Sequence, residues 1–299
     1  MQLTKSFWFG VGIGVLGVVL FSSKAVMVKL AYSYQVDAIS ILLLRMLFSF
    51  PFYVIIAYLY RNSSNKVVVG RQDYFWVVFF GFVGYYLASY FDFVGLTYIK
   101  ASLERIILFL YPTIVILLNK IFLKHPITKI QIGAIGLTYL GVVISFWDEV
   151  AIHGSHIYLG GFFILLSAIT YASYLVGSGW LIPKFGVMKF TAFAMIVSCI
   201  CVFIHYSVVS EISLFSFSWE VYFLGFLIAI FATVIPSFLV SASIKIISSS
   251  NFAILAGIGP ISTIILAAIF LNEVLTLLQF FGAIVVIVGI LLISLIKKK

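Results

Sequence analysis

Charge is scarce in this chain. Of its 299 residues only 9% are Asp, Glu, Lys or Arg, and just nine are acidic. A soluble domain carries roughly 25% charged residues and about half apolar ones. This chain is 64% hydrophobic, with a mean hydropathy of +1.25. It has too little polar surface to dissolve itself, which excludes a soluble enzyme and a nucleic-acid-binding domain. Apolar residues are too abundant throughout for disorder. Cysteine is almost missing: Cys199 and Cys201, one residue apart in an apolar run, form neither a CxxC pair nor a metal knuckle and read as small core residues. No HExxH, GxSxG or paired-glutamate protease pattern occurs, so intramembrane hydrolysis has no visible machinery. The expectation is a protein that is not an enzyme and carries no cofactor and no metal.

What the chain does have is long apolar runs. They cover residues 7–31, 38–60, 74–96, 101–122, 130–147, 158–180, 190–209, 221–243, 252–271 and 277–296. Each is close to the roughly 20 residues that cross a bilayer as a helix. The fold class read from this is an all-α membrane protein with ten transmembrane helices and no sizeable soluble domain. The first run follows a single lysine and has no small-residue cleavage site, so it reads as a permanent span, not a removed signal.

The net charge of +9 fits this reading. With the N-terminus in the cytoplasm, the inside segments hold Lys5, Arg61, Lys66, Arg71, Lys120, Lys124, Lys129, Lys184, Lys189, Lys245 and Lys297 to Lys299. The outside ends hold Lys29, Lys100 and Arg105. Of the acids only Asp73 is inside. Such a bias follows the positive-inside rule and would be scrambled by a missed or invented span. Both termini are thus expected in the cytoplasm of a multi-pass protein of the cell (inner) membrane.

The chain also repeats itself. Shifted by 148 residues, Pro112 aligns with Pro260, Phe122-Leu123 with Phe270-Leu271, Thr128 with Thr276, Gln131 with Gln279 and Gly141 with Gly289. About a dozen positions between Ile99 and Ser145 are identical without a gap. Residues 1–149 and 150–299 therefore read as two copies of one five-helix unit. An odd number of spans turns the second copy upside down. Inverted repeats are the build of many secondary transporters, with a substrate site near the midplane between the copies.

The signature shared by the copies is specific. In the first it reads Leu96-Thr97-Tyr98-Ile99-Lys100-Ala101-Ser102, Pro112, Phe122-Leu123, Thr128, Gln131 and Gly141-Val142. In the second it reads Ile247-Ser248-Ser249-Ser250, Pro260, Phe270-Leu271-Asn272-Glu273, Thr276, Gln279 and Gly289-Ile290. Over nearly its whole length the chain resembles the EamA family of the drug/metabolite transporter superfamily. The resemblance implies export of amino acids, sugars or other metabolites, and related carriers for sugar phosphates and nucleotide sugars are exchangers. It brings no common set of catalytic residues. One departure is His125-Pro126 where the second copy has Glu273-Val274, expected to alter a turn only.

Charges inside a bilayer cost about 2.5–3.5 kcal/mol each and mark candidate sites. Five stand out: Lys24, Arg45, Asp92, Glu104 and Arg105. Arg45 lies about 12 Å into its span at 1.5 Å per residue, near the midplane. Lys24 and Asp92 fall in the outer quarter, and Glu104 and Arg105 open the fourth span. Their partners in the second copy are Ala172, Phe193, Val240, Phe252 and Ala253, none of them polar. An asymmetric charged site follows, in which Arg45 offers a fork for a carboxylate or phosphate and Asp92 or Glu104 takes and releases a proton. A structural reading stands beside it: Arg45–Asp92 and Lys24–Glu104 as ion pairs tying spans 1 to 4 together. In a third, some of these groups lie at the headgroups.

Pro112 and Pro260 give a second line. Each removes a helix hydrogen bond and frees a carbonyl one turn earlier, and Gly257 and Gly259 weaken span 9 further. Broken helices at matched positions point to a transport site. Tyr111, Asn119, Ser262 and Thr263 would supply polar contacts there, and Tyr85, Tyr86 and Tyr90 along span 3 could line a pocket for an amphipathic metabolite.

Two motifs mislead. Gly12-Ile13-Gly14-Val15-Leu16-Gly17 fits GxGxxG but lies inside an apolar helix without a strand before it, so helix packing through Gly10 and Gly14 is expected instead of a dinucleotide. His153-Gly154-Ser155-His156 beside Asp148 and Glu149 reads as a hydrated loop more readily than as a weak metal site; His205 and His125 have no partner that the sequence names.

The expected function is transport of a small metabolite, an amino acid or similar zwitterion or anion, by alternating access with proton-coupled export. The rivals are an anionic-metabolite exchanger and a membrane scaffold that transports nothing. Expected partners are a small-molecule substrate, protons and the lipid bilayer, with no nucleic acid, and the chain is a monomer or a homodimer.

Overall fold

In the computed structural model, residues 2–61, 69–123, 129–153, 156–210 and 212–294 are described. Among them there is helix and no strand. The helices group into ten rods. α1 is Gln2–Tyr32 and α2 is Ala38–Leu59. α3 runs from Arg71–Gly81 through Phe82–Leu87 to Ala88–Tyr98. α4 comprises Ala101–Leu108 and Tyr111–Leu123. α5 is Lys129–His153, α6 His156–Phe185 and α7 Val187–Val209. α8 runs from Trp219–Ala229 through Ile230–Val234 to Ile235–Ile247. α9 comprises Ser249–Leu255 and Ile258–Leu271, and α10 is Leu277–Ser294.

Eight of these rods, α1 to α4 and α6 to α9, are long and apolar enough to cross a membrane. The expected ten spans are not confirmed: among the described residues the apolar stretches of α5 and α10 are shorter, Ile135–Ser145 and Leu277–Gly289. Their faces are spent on each other. A Cβ on Gly141 would stand 2.6 Å from the carbonyl oxygen of Gly282, and one on Gly282 would collide with Ser145 Oγ. The two backbones meet where only glycine allows it.

The packing is the same when the first five helices are exchanged for the last five. α1 lies along α8 and α9 as α6 lies along α3 and α4; α2 packs on α7, and α5 on α10. The irregularities obey the same exchange. Phe82–Leu87 in α3 and Ile230–Val234 in α8 are π-helical, and residue 82 is 148 before residue 230. Both α4 and α9 are interrupted just before their prolines. Pro112 is the second residue of Tyr111–Leu123, and Pro260 the third of Ile258–Leu271. A proline ring cannot accept a helical turn before it, so the helix restarts there.

Helix ends are held by side chains. Asp37 Oδ2 accepts from Ser40 N at the start of α2, at 3.1 Å. Asp73 accepts from Gly70 N at 3.0 Å and from Lys184 Nζ at 2.6 Å, tying α3 to α6. A single residue, Gly186 at φ 78°, joins α6 to α7, a turn that a side chain would strain. The glycine-rich start of α1 is a packing stripe. A Cβ on Gly10 would meet Ile246 at 2.6 Å, one on Gly14 would meet Ser243 Oγ at 2.5 Å, and Ser243 Oγ donates to the Gly10 carbonyl.

Candidate functional site

The five charges sit inside the protein. Lys24, Arg45, Asp92 and Glu104 are each at most 4% exposed, and Arg105 is 6% exposed. None of the five is exposed at the protein surface. Four of them form one cluster at the meeting of α1, α3 and α4. Lys24 Nζ lies 2.6 Å from Asp92 Oδ2 and 4.0 Å from Glu104 Oε1. Arg105 Nε lies 3.7 Å from Glu104 Oε2. The two carboxyl groups are in contact with each other. No hydroxyl or backbone N–H among the described residues donates to either. Two cations and two acids therefore neutralise one another in the protein interior, where an unpaired charge would be costly.

Arg45 stands apart, and the expected Arg45–Asp92 pair is not formed. Its Nε donates to Thr233 Oγ1 at 2.7 Å and its Nη1 to Ser89 Oγ at 3.1 Å. Thr233 belongs to the π-helical segment of α8, where its hydroxyl reaches back five residues to the Ile228 carbonyl. Ser89 follows the π-helical segment of α3. Arg45 thus bridges the two bulges, with its guanidinium carbon 5.4 Å from the centre of the Phe93 ring. Its Nη2 is buried without a hydrogen-bond partner. The reason lies in helix phase: α2 turns Arg45 and Ser49 towards α8, and Ser49 Oγ donates to the Arg45 carbonyl.

Beside the cluster, between the repeats, lies a cavity of about 380 Å³ including its open mouth. It is bounded by α1, α4, α6, α8 and α9, and Arg105, Tyr111 and Gly259 are on its wall. Both helix breaks therefore face one space. Arg105 is held in place by α9 and α1: its Nε donates to Thr263 Oγ1 at 2.9 Å and its Nη2 to the Phe21 carbonyl at 3.4 Å. Thr263 Oγ1 in turn donates to the Ser22 carbonyl, and Ser22 Oγ to that of Gly259. The Ser22 hydroxyl is shared between that carbonyl, 3.2 Å away and just ahead of Pro260, and the Val18 carbonyl at 2.8 Å. Pro112, Pro260 and Gly257 shape the breaks but do not line the cavity.

Tyr86 and Tyr90 are elsewhere. Tyr86 Oη is 3.0 Å from His205 Nδ1 and the Tyr90 ring is 4.7 Å from that of His205, at the contact of α3 with α7. They do not line the cavity, and His205 has the partner that the sequence did not name. Tyr85 packs edge-on to Tyr174. Ser262 turns to its own helix, donating to the Ile258 carbonyl. His125, Pro126, Thr128, Gly154 and Ser155 lie outside the described residues, as do Lys66, Lys124, Glu211 and Lys297 to Lys299; so do the side chains of Gln131, Asp148, Glu149 and His153.

Two contributors escaped the sequence reading. Tyr171 of α6 joins the cavity wall, and nothing in a run of apolar residues distinguishes it. Glu273 does more than alter a turn. Its Oε1 accepts from Ala101 N at 3.0 Å and its Oε2 from Ser102 N at 3.0 Å and Ser102 Oγ at 2.7 Å. The α9–α10 connection thereby caps the start of α4 and staples the second repeat to the first. The signal was there: an acid just past one helix, and a small polar start at another.

Eight helices long and apolar enough to cross a membrane, a charge-compensated interior and a cavity at paired helix breaks fit a multi-pass membrane transporter. The chain belongs to the EamA-like transporter family, whose sequence profile matches residues 8–147 and again 158–295. It is 29% identical over 276 residues to an uncharacterized transporter, YcbK, of Bacillus subtilis (strain 168), covering 90% of this chain and 87% of that one. A solved crystal structure aligns over 96% of both chains with a TM-score of 0.69 at 15% identity, a likeness of fold.

Proposed function

We propose that the chain is a secondary transporter that exports a small metabolite bearing a carboxylate across the cell (inner) membrane by alternating access, coupled to protons. The reading takes all ten rods as spans, residues 1–149 and 150–299 as inverted repeats, and both termini as cytoplasmic; the bias of basic residues and the exchange symmetry of the packing support it. The substrate lies in the cavity between the repeats, on Arg105 and Tyr111 beside the breaks at Pro112 and Pro260. Asp92 and Glu104 carry the proton, Lys24 holds them, and Arg45 braces the bulged helices. The observation that carries the proposal is the contact of Arg105 with both places. It lines the cavity, and it stands 3.7 Å from Glu104.

That contact gives the coupling. A carboxylate arriving at Arg105 shares the guanidinium with Glu104. Glu104, with one of its cations diverted and Asp92 against it, then takes up a proton. Substrate and proton then bind together and leave together on the same side, so the outward gradient of the substrate drives export and carries the proton with it. The test is flux in proteoliposomes with a trapped pH indicator. Wild-type protein should move protons with substrate. Asp92→Asn should uncouple the two. Substrate exchange that runs at the wild-type rate in Asp92→Asn and Glu104→Gln, with no proton movement in either the variants or the wild type, would favour the anion exchanger instead. Protein that folds yet moves none of a broad solute panel would leave the scaffold.

A further inference from the structure

We infer that the cavity selects a small monoanion with a flat apolar body, such as an aryl-substituted short-chain carboxylate, and discriminates against the zwitterion that carries an added amine. This rests on the transporter reading and narrows its substrate class. Three observations lead to it.

The first is charge. Arg105 is the one charged side chain among the described residues on the cavity wall. The acids that a zwitterion's ammonium would need, Asp92 and Glu104, are not on that wall; they are turned to Lys24 and to each other. Arg45, the cation expected to serve with them, is spent on Thr233 and Ser89. An ammonium entering this space would exchange water for an apolar wall without gaining a carboxylate. A carboxylate meets the positive charge of Arg105, whose Nε and Nη2 are held in place by Thr263 and Phe21.

The second is shape. Phe21, Tyr171, Tyr111 and Phe109 form a continuous aromatic wall. The Phe21 and Tyr171 rings stack at 6.1 Å, Tyr171 meets Tyr111 edge-on at 5.2 Å, and Tyr111 meets Phe109 edge-on at 5.7 Å. Phe252 closes the space from α9. A ring or a branched apolar group fits such a wall through edge and face contacts. The third is valence. The wall carries a single guanidinium, already shared with Glu104 at 3.7 Å, which is too little for the multiply charged head of a nucleotide or a sugar phosphate.

The experiment uses the full chain in lipid nanodiscs and isothermal titration calorimetry. The probes share one ring and differ in charge: 3-phenylpropanoate, phenylalanine and 2-phenylethylamine. 3-Phenylpropanoate should bind at least about tenfold tighter than phenylalanine, and the amine should not bind. Arg105→Gln should lose that binding, and Arg105→Lys should keep part of it, since a point charge replaces the fork. Circular dichroism and size exclusion of both variants check folding. Phenylalanine binding as tightly as 3-phenylpropanoate, no binding of 3-phenylpropanoate at all, or a folded Arg105→Gln that binds it like wild type would each overturn the inference. The transporter reading survives those results if proteoliposome flux of other solutes persists, and falls separately if it does not.

Discussion

The two repeats divide the labour at equivalent positions. Lys24, Asp92, Glu104 and Arg105 of the first correspond to Ala172, Val240, Phe252 and Ala253 of the second, 148 residues on, and all eight are buried. Where the first copy gathers charge, the second supplies wall: Val240 and Phe252 line the same cavity as Arg105. The backbone does not require the charges, because the second copy makes the same packing without them. What the fold does require recurs in both halves: the π-helical segments and the breaks before Pro112 and Pro260. The asymmetry coincides with the proposed site and the symmetry with the architecture.

The sharpest way to break this division is to remove one charge and leave its partner. Lys24→Ala strips Asp92 and Glu104 of their shared cation in a dry interior, which should cost about 3–5 kcal/mol and show as a large drop in thermal unfolding temperature. An unfolding temperature unchanged from wild type would mean that water reaches the cluster. A smaller effect is expected at Arg45. Arg45→Gln loses the bridge between Thr233 and Ser89, at about 1.5–3 kcal/mol, while binding of substrate measured at saturation of the folded protein stays as in wild type. Lost affinity in a folded Arg45→Gln would return Arg45 to the site. Smaller still is Glu273→Gln. It keeps an acceptor for the start of α4 but loses the charge favoured at a helix N-terminus, for about 0.5–1 kcal/mol. That variant should slow or loosen the step that parts the α9–α10 connection from α4, read as a changed turnover rate with unchanged equilibrium binding.

Length, composition and the internal repeat were enough to read the membrane class, the family and the matched breaks, because a 20-residue apolar run and a mid-helix proline each have one dominant physical consequence. Partner choice was not legible. Around a membrane helix every face is apolar, so no amphipathic stripe fixes the rotation of α2, and that rotation sends Arg45 to Thr233, 188 residues away, and not to Asp92. The same ignorance of phase put Tyr86 and Tyr90 in the cavity and left out Tyr171. The π-helical segments leave no trace in hydropathy, since one extra residue per turn changes neither length nor apolarity of the run. Glu273 was legible as an acid at a turn; its target on α4 is a tertiary contact.

One measurement bears most directly on the division between architecture and function. Lys24→Ala and Asp92→Val together install in the first repeat what the second already has. Replacing a buried ion pair by apolar residues is commonly neutral to stability or raises it by about 1–4 kcal/mol. The doubly exchanged protein should therefore unfold at or above the wild-type temperature in detergent and, in proteoliposomes, move neither substrate nor proton. Full transport by the exchanged protein, or a collapse of its stability to that of Lys24→Ala alone, would contradict the account.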